Sequence, residues 1–545
     1  MVDILLVQPP IRDFYLTAKR TVPYGLASIA AALGAKGFSV NLLDGLASAK
    51  SRPLQPPLEM SYLADYYGRP DSSPFGLFHQ FRHFGYSYQH IQKMAQSSGA
   101  FLVGISALFT PYIEEAFATA RAIRAALPTC NIVLGGHHPT ALPAHAMTCP
   151  HVDFVLRGEG ENSLPALALA IKNGTPLSEV PGLVFRRKDG ALHVGAPAVM
   201  TSLNDAPPPA RRLIRDDFYR RKGRGATVIV TSRGCPMTCS YCALGNHQLY
   251  PYRRRRLDDV LEEIADAVLH HDARFIDFED ENLSLDRDWF LTLLRAITTN
   301  FGRFELELRA MNGLFPPTLD DEVIAAMKAA GFRTLNLSLG SACPDQLQRF
   351  HRPNVRRSFD RALETAEKHG MDAVGYIIVG APWQNPEDSL TDLLFLTARR
   401  VLAGVSVYYP APASKDYEIC DALGLLPEAF SLMRASTLPI SHTTTRLEAV
   451  TLVRLGRMIN FMKEIIDSGT PLPQPASPDS YGQIAIEDRE PLGILLLSWF
   501  LFDGRIWGVT PQGECYPHRV SPALTSSFLK RLRDRPLRGR LSKSA

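Results

Sequence analysis

The sequence predicts an α/β protein built from an amino-terminal doubly wound domain, a partial (β/α)6 barrel of the TIM type, and a small mixed or mainly helical carboxy-terminal domain. Three observations carry that prediction. A strand-turn-helix-strand order fills the first third, strand-like runs alternate with amphipathic stretches through the middle, and the alternation lapses after about Tyr417. Ala206-Pro207-Pro208-Pro209 reads as a short stiff linker, so the expected boundaries are 1–175, a linker over 176–224, 225–416 and 417–545.

In the first domain, Asp3 to Gln8 reads as a strand that ends at Pro9-Pro10, followed by helical Tyr24 to Leu33 and a strand from Ser39 to Asp44. Further strands are expected at Phe101 to Ser106 and Asn131 to Leu134. A parallel sheet in this order binds ligands beyond the carboxyl ends of its strands. Two such ends carry Ser106-Ala107-Leu108 and Gly135-Gly136. Residues 50–98 are rich in Tyr, Phe and His, including His79, His83 and His90, and suit either a lid over that site or packing between domains.

The barrel strands are expected at Ala226 to Thr231, Phe275 to Phe278, Phe304 to Leu308, Thr334 to Leu339, Val374 to Val379 and Val405 to Tyr409. Amphipathic stretches lie between them at Asp258 to Val268, Leu319 to Ala330, Phe359 to His369 and Pro386 to Val401. Chemistry in such barrels sits at the carboxyl ends of the strands. Directly after the first comes Ser232-Arg233-Gly234-Cys235-Pro236-Met237-Thr238-Cys239-Ser240-Tyr241-Cys242. Cysteines at this spacing would share a helix face, but Gly234 and Pro236 break a helix there and put the triplet in a loop. Three thiolates can hold three irons of a four-iron cluster and leave the fourth open to chemistry. A structural zinc would want a fourth ligand, for which the chain offers no second CxxC, although His247 is a candidate.

The run CxxxCxφC, with Tyr241 at the bulky position φ, resembles the signature of the radical S-adenosylmethionine (SAM) enzymes. That resemblance implies a 4Fe-4S cluster on Cys235, Cys239 and Cys242, SAM on the open iron, and Tyr241 near the adenine. It also places Asp280 and Glu281 at the methionine amino group and the Gly380-Ala381-Pro382 turn, with Gly380 and Pro382, near the adenine. Ser341 would reach the ribose, where many relatives have a glutamate at the position of Gly340.

Ser106 and Leu108, with Gly135 and Gly136, resemble the SxL and GG elements of cobalamin-binding domains, and Val155-Leu156-Arg157-Gly158-Glu159-Gly160-Glu161 resembles a run common in the amino-terminal domains of cobalamin-type relatives. The chain is thereby identified as a member of the cobalamin (B12)-binding-domain radical SAM superfamily, similar to its class B methyltransferases. The DxHxxG run with which other cobalamin domains donate a histidine to cobalt has no counterpart, as in many radical SAM methyltransferases, because Gln8 to Tyr24 contains no histidine. Arg12, Phe14 and Tyr15 are candidates to cover the corrinoid's lower face. The family implies methyl transfer to a poorly activated carbon through a 5′-deoxyadenosyl radical and methylcobalamin. Cyclisation or rearrangement without methylation is the alternative, and a corrinoid sensor or carrier with a structural cluster is an alternative of another class. Expected partners are a small-molecule, lipid or peptide substrate and an electron donor such as flavodoxin or ferredoxin.

Bulk properties fit a cytoplasmic enzyme. The net charge of +4 over 545 residues implies no general nucleic-acid affinity. Cys130, Cys149, Cys343, Cys420 and Cys515 have no metal-ligand spacing, and the amino terminus enters a strand without a signal peptide. The apolar run Pro491 to Phe502 is too short to span a bilayer. Arginines 253–256, and the basic residues of 211–224, read as solvated or interdomain salt-bridging surfaces, while Lys530 to Lys543 is expected to fray. A helix is expected from Thr445 to Ile466.

Overall fold

Alternating apolar residues along Ile4–Gln8 make it the spine of a two-faced sheet. Ile4 and Leu6 face helices Tyr24–Ala35 and Gly160–Asn173, while Leu5 and Val7 face helices Tyr88–Ser98 and Ile113–Ala126. The parallel strands run in the spatial order Val40–Asp44, Ile4–Gln8, Leu102–Ser106, Asn131–Gly135, Phe154–Leu156. Strand order reverses between Ile4–Gln8 and Leu102–Ser106, which opens a crevice beyond Gln8 and Ser106 where such sheets take ligands. An antiparallel hairpin, Leu183–Arg186 with Leu192–Val194, extends the sheet past residue 175. The expected linker therefore starts too early, because strands this short carry little periodic signal.

The computed structural model describes residues 1–16, 21–247, 249–478 and 488–540. Its second unit is the open barrel. Arg224–Ile229, Ala273–Phe278 and Glu307–Arg309 pair in parallel, as do Thr334–Gly340, Asp372–Val379 and Leu402–Val407. Parallel bridges Leu308–Phe332 and Leu314–Leu337 join the two halves. The third strand begins later than expected, because Phe304 closes a tight turn and Glu305 takes a left-handed φ of 51° before extended backbone resumes. The last begins earlier, at Leu402.

The carboxy-terminal residues share the barrel's core. Helix Arg446–Asp467 starts in a capping box, Thr445 with Glu448, and lies so close to the last strand that a Cβ on Gly456 would stand 2.7 Å from a methyl of Val405. One apolar cluster runs from Phe359 and Leu393 of the barrel through Leu455 and Met458 to Trp499 and Phe528. Residues 417–545 thus pack on the barrel as a mainly helical part whose apolar faces merge with its core. Within the stretch expected to fray, helix Pro522–Arg533 ends the regular structure, the chain beyond it is mostly exposed, and the Arg540 backbone N–H donates to Asp467 at 2.9 Å, while Lys543 lies outside the described residues.

A strap within residues 50–98 packs between the units. Phe14, Tyr67, Phe78 and Phe81 form an aromatic cluster with Leu438 and Val450 of the carboxy-terminal part. Phe75 is fully buried in the barrel core, edge-on to Phe461 at 5.4 Å. Among the described residues, no helix is long and apolar enough to cross a membrane.

Candidate active site

The first barrel strand delivers the cysteine loop, and a short antiparallel clasp holds the loop's two ends. Ser232–Arg233 pairs with Arg253–Arg254, and Gly234 turns between them at φ +77° with its α-carbon pressed on the carbonyls of Tyr250 and Pro251. A Cβ there would lie 2.4 Å from the Pro251 oxygen, so glycine is the residue that lets Cys235 leave the clasp. Asp280, at the end of the second strand, accepts the Thr231 backbone N–H and the hydroxyls of Thr231 and Ser232. It is buried and committed to shaping this turn, which corrects its expected place at a methionine amino group.

Cys239 is buried and Cys235 and Cys242 are half-buried. The three thiols lie within electrostatic reach of one another, and burial pushes Cys242 up to about 11 and Cys235 upward as well. Thiols so placed need a cationic partner to become thiolates, which is what iron supplies. Among the described residues no three potential ligands converge on a single ion. Sulfurs that each take a different corner of a four-iron cube have no need to meet at one point. His247, the candidate fourth ligand, has its Nε2 3.3 Å from the Met237 carbonyl.

Groups around the loop fit SAM unequally. One carboxylate oxygen of Glu281 is buried without a hydrogen-bond partner, and burial together with the nearby Asp280 charge pushes the group up to about 7. An ammonium group would satisfy it. Asn282 likewise buries an unpartnered carbonyl oxygen next to Cys235. The Tyr241 ring stands edge-on to Phe350 at 5.0 Å in an apolar cluster with Ala381 of the Gly380-Ala381-Pro382 turn. Gly380, at φ +78°, is tightly covered by Pro439, and Pro382 is buried, so the carboxy-terminal residues roof this turn.

Ser341 does not reach the cavity. It is fully buried and donates to Asp392 at 2.8 Å, correcting the expected ribose contact. The space above Gly340 is filled by Arg352, whose Cδ is 3.1 Å from where a Cβ would be. Arg352 donates to the Tyr241 hydroxyl at 3.2 Å and to the Ser338 carbonyl at 2.5 Å, and lies 3.9 Å from the Cys239 sulfur. Burial works against its charge, but Tyr241 and Cys239 hold its pKa above the ordinary arginine value. Sequence reading missed Arg352 because only the fold brings it over Gly340.

On the amino-terminal sheet, Ser106 and Gly135 are register partners at adjacent strand ends. Gly136, at φ +125°, rests on the Ala107–Leu108 backbone, whereas a Cβ on Gly135 would meet nothing within 4 Å. Leu108 and Phe109 each remain 43% exposed beside that open space, an apolar rim suited to a large flat ligand. Of the candidates for the lower face, Arg12 is paired to Glu115 at 2.7 Å and Phe14 is buried, while the Tyr15 ring stays exposed beside Phe78.

The two ends meet. His137, next to Gly136, is 2.9 Å from the Tyr250 hydroxyl on the segment that closes the cysteine loop. Arg233 donates to Glu159 at 2.9 Å and Glu161 at 2.5 Å, and Arg253 donates to Glu159 at 2.7 Å. Arg255 pairs with Glu263 at 2.5 Å, and Tyr24 of the first domain donates to the same carboxylate. Arginines 253 and 255 thus bridge between units or brace the clasp.

Comparison with known proteins agrees with this geometry. The Radical SAM superfamily model matches residues 229–396, and the B12 binding domain model matches residues 77–168. This chain carries a B12 binding domain and a Radical SAM domain. The radical SAM match runs from the end of the first barrel strand into the helix before the last strand, and the B12 match spans the strands that end at Ser106 and Gly135. An uncharacterized methyltransferase of Pyrococcus horikoshii, PH0819, is 26% identical over 62% of this chain and 73% of its own length. The cytidylyl-2-hydroxyethylphosphonate methyltransferase of Streptomyces wedmorensis is 24% identical over 70% of this chain and 73% of its own. Among solved structures, the radical S-adenosylmethionine methyltransferase TsrM of Kitasatospora setae, with cobalamin and a [4Fe-4S] cluster bound, superposes with a TM-score of 0.59 at 19% identity, covering 78% of this chain and 79% of that one. This chain shares that architecture across both units.

Proposed function

We propose that this protein is a cobalamin-dependent radical SAM methyltransferase that acts on a poorly activated carbon of a small molecule. The observation that carries the reading is the junction of the two strand-end faces, where His137 beside Gly136 meets Tyr250 beside the cysteine loop. When bound, the cluster with SAM supplies a hydrogen-abstracting radical, and the corrinoid supplies the methyl group.

The chain's own residues bind, orient and enclose. Cys235, Cys239 and Cys242 would hold three irons, and Glu281 offers its one unpartnered carboxylate oxygen to the ammonium of SAM. Arg352 fixes the Tyr241 hydroxyl, and Phe350 fixes its ring, so the side chain can wall one edge of the adenine site. Gly135 leaves room for the corrinoid's nucleotide tail, with Ser106 beside it. Residues 425–447 form a roof that touches both faces: Phe430 is edge-on to His138 and His145, and Pro439 covers Gly380. Excluding water in this way protects radicals from quenching.

A cleft of about 750 Å³ opens between residues 425–447 and the strap, lined by Tyr62, Tyr66, Leu432, Leu438, Ile440 and Arg446 among others, none of them from the cysteine loop or the Ser106 and Gly135 strand ends. Its size and walls suit an amphipathic small molecule rather than a folded protein. An electron from a flavodoxin- or ferredoxin-type donor would reduce the cluster.

The test is turnover with methyl-labelled SAM by anaerobically reconstituted protein. Label in the product together with 5′-deoxyadenosine supports methyl transfer. Deoxyadenosine with unlabelled product replaces it with cyclisation or rearrangement, and cobalamin binding without deoxyadenosine replaces it with a sensor or carrier.

A further inference from the structure

The run Arg157-Gly158-Glu159-Gly160-Glu161 is unexplained by any cofactor contact, yet it is among the most densely bonded loops at the junction. It follows the strand Phe154–Leu156, so it emerges from the same edge of the sheet as Ser106 and Gly135. Gly158, at φ +84°, lies flat on Ala198, where a Cβ would overlap the Ala198 oxygen at 2.1 Å, and the Glu159 N–H donates to that same oxygen at 2.8 Å. The loop's backbone is thus pinned from below, which leaves its two carboxylates pointing across the domain boundary.

Their partners stand on either side of the cysteine loop. Arg233 immediately precedes Gly234-Cys235, and Arg253 is its register partner on the returning strand. The Arg233 guanidinium forks between Glu159 and Glu161, while Arg253 joins Glu159 and also donates to the Met200 carbonyl at 2.7 Å. Side-chain exposure is 5% at Glu161, 14% at Glu159, 15% at Arg253 and 27% at Arg233, well below that of the solvated pairs elsewhere on the surface such as Lys368–Asp321. Planar two-point contacts of this kind fix direction as well as distance.

We propose that Glu159, Glu161, Arg233 and Arg253 are positioning residues that lock the cysteine loop to the corrinoid face, so that occupancy of one cofactor site is felt at the other. None of the four touches a reacting atom; they set the attitude of the loop that does. The inference rests on the reading that the amino-terminal face takes cobalamin. Coupling between two sites is reciprocal, so cobalamin that steadies its own face should steady the cysteine loop through this lock.

The experiment is amide hydrogen exchange of the 232–242 segment in full-length, cluster-reconstituted protein, with and without hydroxocobalamin. Iron, sulfide and cobalamin per chain are measured on each sample. In the native protein, cobalamin should slow exchange of this segment by about tenfold, within the usual range of coupling between sites. In the Glu159→Gln/Glu161→Gln double variant, cobalamin and iron should still load, and the slowing should vanish. Arg233→Lys, which keeps the charge but loses the fork, should give an intermediate value and decides the matter if the double variant fails to fold. Undiminished slowing in the variants, or none in native protein that binds cobalamin, would overturn the lock while leaving the methyltransferase reading intact. Failure of native protein to bind cobalamin would overturn that reading instead.

Discussion

Replacing Gly234 with alanine should dismantle the cluster loop without unfolding the protein. At φ +77°, a side chain costs about 1–2 kcal/mol for the left-handed backbone alone. The added methyl would stand 2.4 Å from the Pro251 oxygen and 2.6 Å from the Tyr250 oxygen, both of them backbone atoms that no rotamer change can move aside. Relief requires prising Ser232–Arg233 from Arg253–Arg254, at about 0.5–1.5 kcal/mol per hydrogen bond surrendered. The sum, about 2–5 kcal/mol, is below the roughly 5–15 kcal/mol that holds a whole domain folded, and because displacing the loop relieves it locally, a displaced loop becomes the dominant local state. Iron and sulfide content after anaerobic reconstitution, with the cluster's electron paramagnetic resonance signal, reads the outcome. Cluster loading should fall at least about tenfold, the equivalent of 1.4 kcal/mol. Gly302→Ala is the control, since Gly302 has ordinary helical backbone and open space at its Cβ position, and it should load normally. Native cluster loading and signal in Gly234→Ala would refute the argument that close backbone approach makes this glycine necessary.

Three further outcomes follow from other sites. Glu281→Gln should keep the cluster yet weaken SAM binding by about tenfold, as expected for loss of one charge-assisted contact, measured by equilibrium binding. Asp392 is pushed up to about 7 by burial, above its unfolded value, so its contribution to stability is full in acid and is lost as pH rises through 7. Asp392→Asn should therefore flatten the dependence of melting temperature on pH over that window, as followed by calorimetry. Lys463 is fully buried and its ammonium donates to the carbonyls of Thr397, Arg399 and Arg538. Lys463→Met would strand those acceptors at a cost of roughly 3 kcal/mol, seen as a lower denaturant midpoint at unchanged slope.

Chemistry written in consecutive residues was legible in the sequence. The cysteine triplet, with Gly234 and Pro236 forcing a loop, needs no long-range information, and both sheets announced themselves through strands with a clear apolar face. What stayed hidden depends on what lies opposite. An acidic run at a strand end cannot say which member is spent on the backbone, and the fold gives Asp280 to Thr231 and Ser232 while leaving Glu281 with an unpartnered oxygen. Gly340 looked like a missing glutamate, although its space is occupied by Arg352. Ser341 was read as reaching outward, but the buried Asp392 on a neighbouring helix turns it inward. The segment 176–224 was read as a linker because hairpin strands such as Leu192–Val194 are too short to show a period.

The strap around Phe75 constrains how the protein can be made. Asp71, four residues before Phe75, is bonded to His518, a partner 447 residues downstream. At about 5–20 residues per second, a ribosome needs roughly 20–90 seconds to travel from one to the other. For most of that interval, until Phe461 and the helix that bears it have been synthesised, the aromatic strap lacks part of the core it enters. The first domain emerges early but waits, with Phe75 and its neighbours exposed, for the last part of the chain. Synthesis should therefore be the stage at which this protein most needs a holdase, and splitting the gene at the domain boundary should yield two sticky halves rather than two independent modules.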